Sequence, residues 1–152
     1  MSVLWVEGIP DNAIAISNLL RDFPQQQVAS YILSDRFEED VCFYLASNDR
    51  SSSSLFQFSD INGFEGLCMD EQIKLNTFRF DEVFSFKDVA TSHHLVLDVQ
   101  GAELEVLSGF GLLLKSINSM KLEVSTFQVY EGAPLYGVVK EFLTKEGFIL
   151  FG

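Results

Sequence analysis

Three carboxylates stand where short apolar runs give out: Glu7 after Val3–Val6 (VLWV), Asp35 after Val28–Leu33 (VASYIL) and Asp98 after Leu95–Leu97 (LVL). Runs of this length, rich in β-branched and aromatic residues, read as buried strands. In a doubly wound sheet the carboxyl ends of parallel strands share one edge, and ligands bind along that edge. The three acids could therefore face one crevice. An acid ending the second strand of a nucleotide-binding unit offers two acceptor oxygens to the vicinal hydroxyls of a ribose. Asp35 could accept a hydrogen bond from an exocyclic amine of adenine. Asp98 could act as a general base, or orient a hydroxyl or an ammonium. The plainer alternative is the same for each, a helix cap or a solvated loop residue.

The elements that would position these acids alternate along the chain. Val3–Val6 is followed by Pro10–Asp11, a helix start in which proline suits the first turn and the acid suits the dipole. Ile16, Leu19, Leu20 and Phe23 recur on one face of that helix, and Pro24 ends it. With Val28–Leu33 this makes a strand–helix–strand unit with a parallel pair. Asp40–Ala46 reads as an antiparallel or edge strand. Ser47–Gly66 carries four consecutive serines and reads as a mobile loop, either a lid or a solvated linker. Gln72–Phe80 alternates as a half-exposed strand, and Asp81 is placed to cap a short helix. Leu95–Leu97, Asp98, Gly101 and an amphipathic helix form the central unit. Ile117–Val124 is a further strand, ending near Glu123. A helix opens at Pro134 and closes at Gly147, which sits where a left-handed cap belongs. Phe148–Phe151 begins a last strand. The order predicts an α/β fold with helices on both faces of a mainly parallel sheet.

Composition narrows the function classes. The 152 residues suffice for one domain with a good core, and 47 % are hydrophobic, 15 of them Phe. A net charge of −12, from 22 acidic and 10 basic residues, argues against nucleic acid or an anionic membrane as partner. No apolar run approaches the roughly 20 residues of a membrane span, and Met1–Pro10 has no signal-peptide pattern. A soluble, cytoplasmic protein is the expectation. Cys42 and Cys68 lack metal spacing and read as buried free thiols in a reducing compartment, with a single disulfide the less favoured alternative. His93–His94 is adjacent, which suits a surface turn better than a metal site, so no metal is expected. There is no nucleophile elbow and no phosphate-binding loop. Glu103 and Glu105, at the start of their helix, suit its dipole. Phe127, Tyr130 and Tyr136 could line a pocket, with core packing the simpler reading for Phe127.

The segment LVLDVQGAELEVLSGF, residues 95–110, resembles the hallmark of FkbM-type methyltransferases: a strand, Asp-Val-x-Gly-x-Glu, then an apolar helix with a Leu-x-Gly turn. Other segments are similar to the same family: Trp5-Val-Glu7 with Pro10, Ser34-Asp35, the Ser51–Leu55 run, Thr77–Asp81, Lys121–Val124 and Gly147-Phe148. The likeness runs over nearly the whole chain. It implies a Rossmann-like, doubly wound fold of the class I methyltransferase type, binding S-adenosylmethionine and methylating a hydroxyl oxygen. Carried over by position, it implies that Glu7 holds the cofactor ribose, Asp35 lies near the adenine, and Asp98 sits beside the methionine end or the acceptor oxygen. In such a displacement the protein positions the reactants and removes the hydroxyl proton, the task expected of Asp98.

The family pattern also implies a first strand and glycine-rich cofactor loop ahead of Trp5, and a final strand beside Phe148–Phe151; neither is matched. Residues 1–152 are thus expected to be a single, partial methyltransferase-like domain. A missing central strand would leave two edges of unpaired backbone groups, to be met by direct pairing or by a strand from a partner chain or another copy. The expected partner is otherwise a small-molecule acceptor. Two functions follow: a methyltransferase acting on a small molecule, sugar or lipid, or a non-catalytic remnant or interaction module that keeps part of the fold.

Overall fold

The computed structural model describes residues 2–60, 66–89 and 94–151. Strand β1 (Val3–Glu7) leads into helix α1 (Pro10–Leu20), with Pro10 in the first turn, and returns in β2 (Gln26–Ser30). β1 and β2 pair in parallel from Val3↔Gln26 to Glu7↔Ser30, the strand–helix–strand unit expected. The buried face of α1 differs from expectation. Ala13 is buried and Ile16 and Leu20 are half-buried, whereas Leu19 and Phe23 are exposed. A small residue lets the helix lie close to the sheet, and the apolar stripe turns partly outward.

The chain does not continue β2 as one strand. At Tyr31 it passes to β3 (Ile32–Leu33), which pairs in parallel with β5 (Glu71–Phe78) in a different sheet. β4 (Glu38–Leu45) joins β5 antiparallel, and the register shifts between Glu38 and Val41, where Asp40 takes a left-handed φ of 55°. Two short helices follow, α2 (Phe80–Val83) and α3 (Phe86–Val89). β6 (His94–Leu97) and β7 (Ser119–Leu122) form a separate parallel pair, from His94↔Ser119 to Leu97↔Leu122. Between them run α4 (Glu103–Gly109) and a 3₁₀ segment, Gly111–Ser116. Helix α5 (Tyr136–Lys145) ends on Gly147, whose φ of 93° is the left-handed conformation expected there.

The architecture is thus mixed α/β; among the described residues the strands form three small sheets, β1–β2, β3–β5–β4 and β6–β7, and a single doubly wound sheet is not seen. The reason is local. Among the described residues no strand pairs with the outer edge of β1 or of β6, so neither parallel pair extends further. Exposed Trp5 and Val96 lie on those edge strands. Phe148–Phe151 forms no strand, and Ile149, Leu150 and Phe151 are exposed.

The main core gathers α4, the 3₁₀ segment, α2, β6 and α5 around Val106, Leu107, Phe110, Leu114 and Val139. Phe80 stacks on Phe110 with ring centroids 3.9 Å apart, which ties α2 to the end of α4. A second cluster, Ile9, Ile32, Phe43 and Leu45, joins the α1 turn to the mixed sheet. A third, Val129, Tyr130 and Ala133 with Phe56, Phe58 and Met69, backs the candidate site. Cys42 and Cys68 are free thiols as expected, although Cys42 is only half-buried and Cys68 is exposed. Among the described residues no helix is long and apolar enough to cross a membrane.

Candidate functional site

β6 and β7 run parallel and in register to Leu97↔Leu122, so the residues that follow them, Asp98 and Glu123, emerge side by side. The Glu123 amide donates to the Leu97 carbonyl at 3.1 Å and carries the pairing one step further. These two acids open a small cleft lined also by Gln100, Glu103, Phe127, Tyr130, Pro134 and Leu135. Among the described residues no Lys or Arg lines it. Glu123 was visible in the sequence as a strand-end acid, but only the β6–β7 pairing shows that it belongs with Asp98.

The turn from β6 into α4 is tightly made. Gln100 sits at φ 55° and Gly101 at φ 100°. For a residue with a side chain, the left-handed conformation costs about 1 kcal/mol, so something must hold Gln100 there. Its carbonyl accepts from Ser54 Oγ at 2.6 Å, and Ser54 is completely buried. Its side-chain nitrogen donates to Asp98 Oδ1 at 2.5 Å, and its side-chain oxygen accepts from the Tyr130 hydroxyl at 2.5 Å. Gly101 is required for room as well as for φ, since a Cβ there would lie 3.0 Å from Ala133 Cβ and 3.2 Å from the Tyr130 ring.

Glu103 does more than face the helix dipole. It is 3 % exposed, and its Oε1 accepts from the amides of Val99 and Gly101, both at 3.2 Å, closing the turn from inside. Burial raises its carboxyl above the ordinary range, with those amides pulling the other way and nearby Asp98 adding to the rise. Burial also pushes the Tyr130 phenol up to about 12, reinforced by the negative field of Asp98, Glu103 and Glu123.

The serine-rich segment is scaffold rather than the lid or linker expected of it. Ser53, Ser54 and Ser59 are buried. Ser53 Oγ accepts from the Ala46 amide at 3.0 Å, and Ser59 Oγ donates to the Gln128 carbonyl at 2.5 Å. Phe58 bridges Tyr130, with ring centroids 5.3 Å apart. Small hydroxylated side chains suit this segment because they satisfy backbone groups where it passes under the cleft. Residues 61–65 of the expected loop, and His93, lie outside the described residues.

Of the three strand-end acids, only Asp98 lines the cleft. Glu7 Oε1 accepts from the Ile9 amide at 2.8 Å and so braces the turn into α1. Asp35 follows β3; its Oδ1 accepts from Arg36 at 3.1 Å and its carbonyl from Arg79 at 2.7 Å. Both remain at the ends of parallel strands, but in other sheets. Asp81 caps no helix. Arg79 is the N-cap of α2, and Asp81, inside the first turn, pairs with it at 2.8 Å. Phe127 is exposed and lines the cleft, against the core reading, and Tyr136 does not line it. His94 Nδ1 lies 2.9 Å from Ser119 Oγ across the β6–β7 pair.

A strand, an acid, a left-handed turn closed by a glutamate and an apolar helix therefore stand together beside one cleft. A family model described as the Methyltransferase FkbM domain matches residues 2–150. The chain belongs to the FkbM methyltransferase family. No curated protein and no solved structure matches it. The family's Asp-Val-x-Gly-x-Glu pattern has a physical reading here: Asp98 faces the cleft, Gly101 makes room for Tyr130, and Glu103 locks the turn.

Proposed function

We propose that this FkbM domain serves an S-adenosylmethionine-dependent methyl transfer to a hydroxyl oxygen of a small molecule, sugar or lipid. The observation that carries the reading is Asp98, the acid of the family motif, standing at the end of a parallel strand on the rim of an acidic cleft. The donor set suits the cofactor. Its methionine end is a sulfonium and an ammonium, and the cleft offers the carboxylates of Asp98 and Glu123, with no Lys or Arg among the described residues that line it. By family resemblance Glu7 would take the ribose hydroxyls and Asp35 would lie near the adenine, although neither lines this cleft and each ends a strand of another sheet. When bound, the cofactor supplies an electrophilic methyl group. Asp98 accepts the proton that the acceptor hydroxyl loses, while Phe127, Pro134 and Leu135 shield the reacting oxygen from water. The acidic cleft favours neutral or cationic acceptors over phosphorylated or carboxylated ones.

A second reading is favoured by the open edges of β1 and β6. Among the described residues each is a parallel strand with a partner on one side. We propose that a strand from a partner chain or another copy completes them, and that this chain alone binds the cofactor weakly. The test is a titration of ¹⁵N-labelled protein with S-adenosylmethionine. Weak, saturating shifts confined to the amides around Glu7, Asp35 and Asp98 support both proposals. Micromolar affinity would overturn the need for a supplied strand. Absence of any localised shift at millimolar cofactor would sink the cofactor assignment.

A further inference from the structure

The side chain of Gln100 makes two bonds whose polarity runs one way. An ionised Asp98 can only accept, so the amide nitrogen of Gln100 must face Oδ1, which turns the amide oxygen toward Tyr130; the phenol's single proton is shared between that oxygen at 2.5 Å and the Ser52 carbonyl at 3.2 Å. Tyr130 is 4 % exposed, and burial keeps its proton in place. Behind Gln100, buried Ser54 holds the main-chain carbonyl and fixes the left-handed turn. Asp98 itself is exposed at the rim, where a free carboxylate would swing between rotamers.

We infer that Gln100 is a positioning residue for Asp98: anchored by Tyr130 and Ser54, its amide holds one carboxylate oxygen and so sets the direction in which the carboxyl group faces the cleft. The inference rests on the reading of Asp98 as the proton acceptor, because only then does its orientation matter to the reaction. The arrangement also gives the serine-rich segment a function. Ser54 arrives from a part of the chain 46 residues away and pins the turn that carries the acid. A proton acceptor fixed in direction avoids the reorganisation that a freely rotating one would need at the moment of reaction.

Gln100→Asn separates positioning from architecture. Asn tolerates the left-handed backbone at least as well as Gln, yet its side chain is one methylene too short to span Tyr130 and Asp98. The measurement is the pair of three-bond Hα–Hβ couplings of Asp98 by NMR, in the wild type, Gln100→Asn and Tyr130→Phe. The wild type is expected to show unequal couplings, the sign of one held rotamer. In Gln100→Asn the couplings converge to averaged values while the amide spectrum away from the turn is unchanged; Tyr130→Phe, where it folds, averages them as well. Averaged couplings in the wild type, or couplings still unequal in Gln100→Asn, would overturn the proposal. The same samples titrated with S-adenosylmethionine keep the two ideas apart. A held rotamer with no cofactor response removes the methyltransferase role of Asp98 but not its anchoring, and a cofactor response with a free rotamer does the reverse.

Discussion

Gly109 closes the Leu-x-Gly turn of the family motif, and Gly109→Ala sets helix propensity against steric fit at one atom. Gly109 is the last residue of α4. By propensity alone, alanine in a helix is favoured over glycine by about 1 kcal/mol. A Cβ on Gly109, however, would sit 2.1 Å from the Ser34 carbonyl oxygen and 3.1 Å from the carbonyl carbon. Both are backbone atoms, so no side-chain rotation relieves the overlap. The Ser34 amide is itself bonded to the Phe78 carbonyl at 2.8 Å, which fastens Ser34 to the mixed sheet through the peptide just before the clashing carbonyl. Either α4 must lift from β3 or the Ser34–Asp35 turn must move. Overpacking of this kind costs roughly 1–3 kcal/mol, with backbone clashes at the upper end. Setting about 3 kcal/mol of strain against about 1 of propensity leaves a net loss of about 2 kcal/mol.

Urea unfolding followed by far-UV circular dichroism reads this directly. With a slope of roughly 2 kcal/mol per molar urea, the midpoint of Gly109→Ala falls by about 1 M at an unchanged slope. Gly137→Ala is the control. Gly137 lies in α5, and a Cβ there would meet nothing within 4 Å, so propensity acts alone and the midpoint rises by up to a few tenths molar. If the Gly109→Ala midpoint stays level or rises, or if the two variants move in the same direction, close approach of α4 to the Ser34 carbonyl is not what the glycine of the motif provides.

Three other perturbations test the site's electrostatics and scaffold. Burial, with Asp35 and Glu103 adding repulsion, raises the Glu105 carboxyl above its ordinary value of 4.5, and its buried Oε2 has no hydrogen-bond partner among the described residues. The folded state therefore holds this proton more tightly than the unfolded state; the resulting stability is fully present below pH 4.5 and is lost as pH rises through the folded value. Glu105→Gln should accordingly be more stable than the wild type at pH 7 and less so relative to it near pH 4, by urea midpoints at the two pH values. Ser54→Ala leaves the Gln100 carbonyl and the Phe56 amide without their buried partner, at a cost of about 1–3 kcal/mol readable as a lower midpoint in the same assay. Tyrosinate absorbance on alkaline titration should contain one ionisation near pH 12 that Tyr130→Phe removes, and a Tyr130 that ionises near 10 would mean the phenol is not buried against the cleft.

What could be read from the sequence was whatever depends on neighbours in the chain. β1, α1, β6 and α5 follow from periodicity and from Pro10, Pro134 and Gly147, and Asp98 stands out because an acid ends an apolar run. What could not be read depends on contacts between distant segments. The sheet divides because β2 and β3 part at Tyr31 and pair with different strands, a choice that an unbroken VASYIL does not announce. Ser54 and Tyr130 reach Gln100 from 46 and 30 residues away, so a serine run that looks like linker composition becomes the underside of the site. The family motif sits between these limits. Its letters mark Asp98, Gly101 and Glu103, but their reasons lie elsewhere in the chain: Ala133 and Tyr130 crowd Gly101, and the amides of Val99 and Gly101 draw Glu103 inward. Gln100, at a position that motif leaves unspecified, is bonded to two distant segments through Ser54 and Tyr130. A related chain with a different residue there would have to hold its strand-end acid by another route, or leave it free to turn.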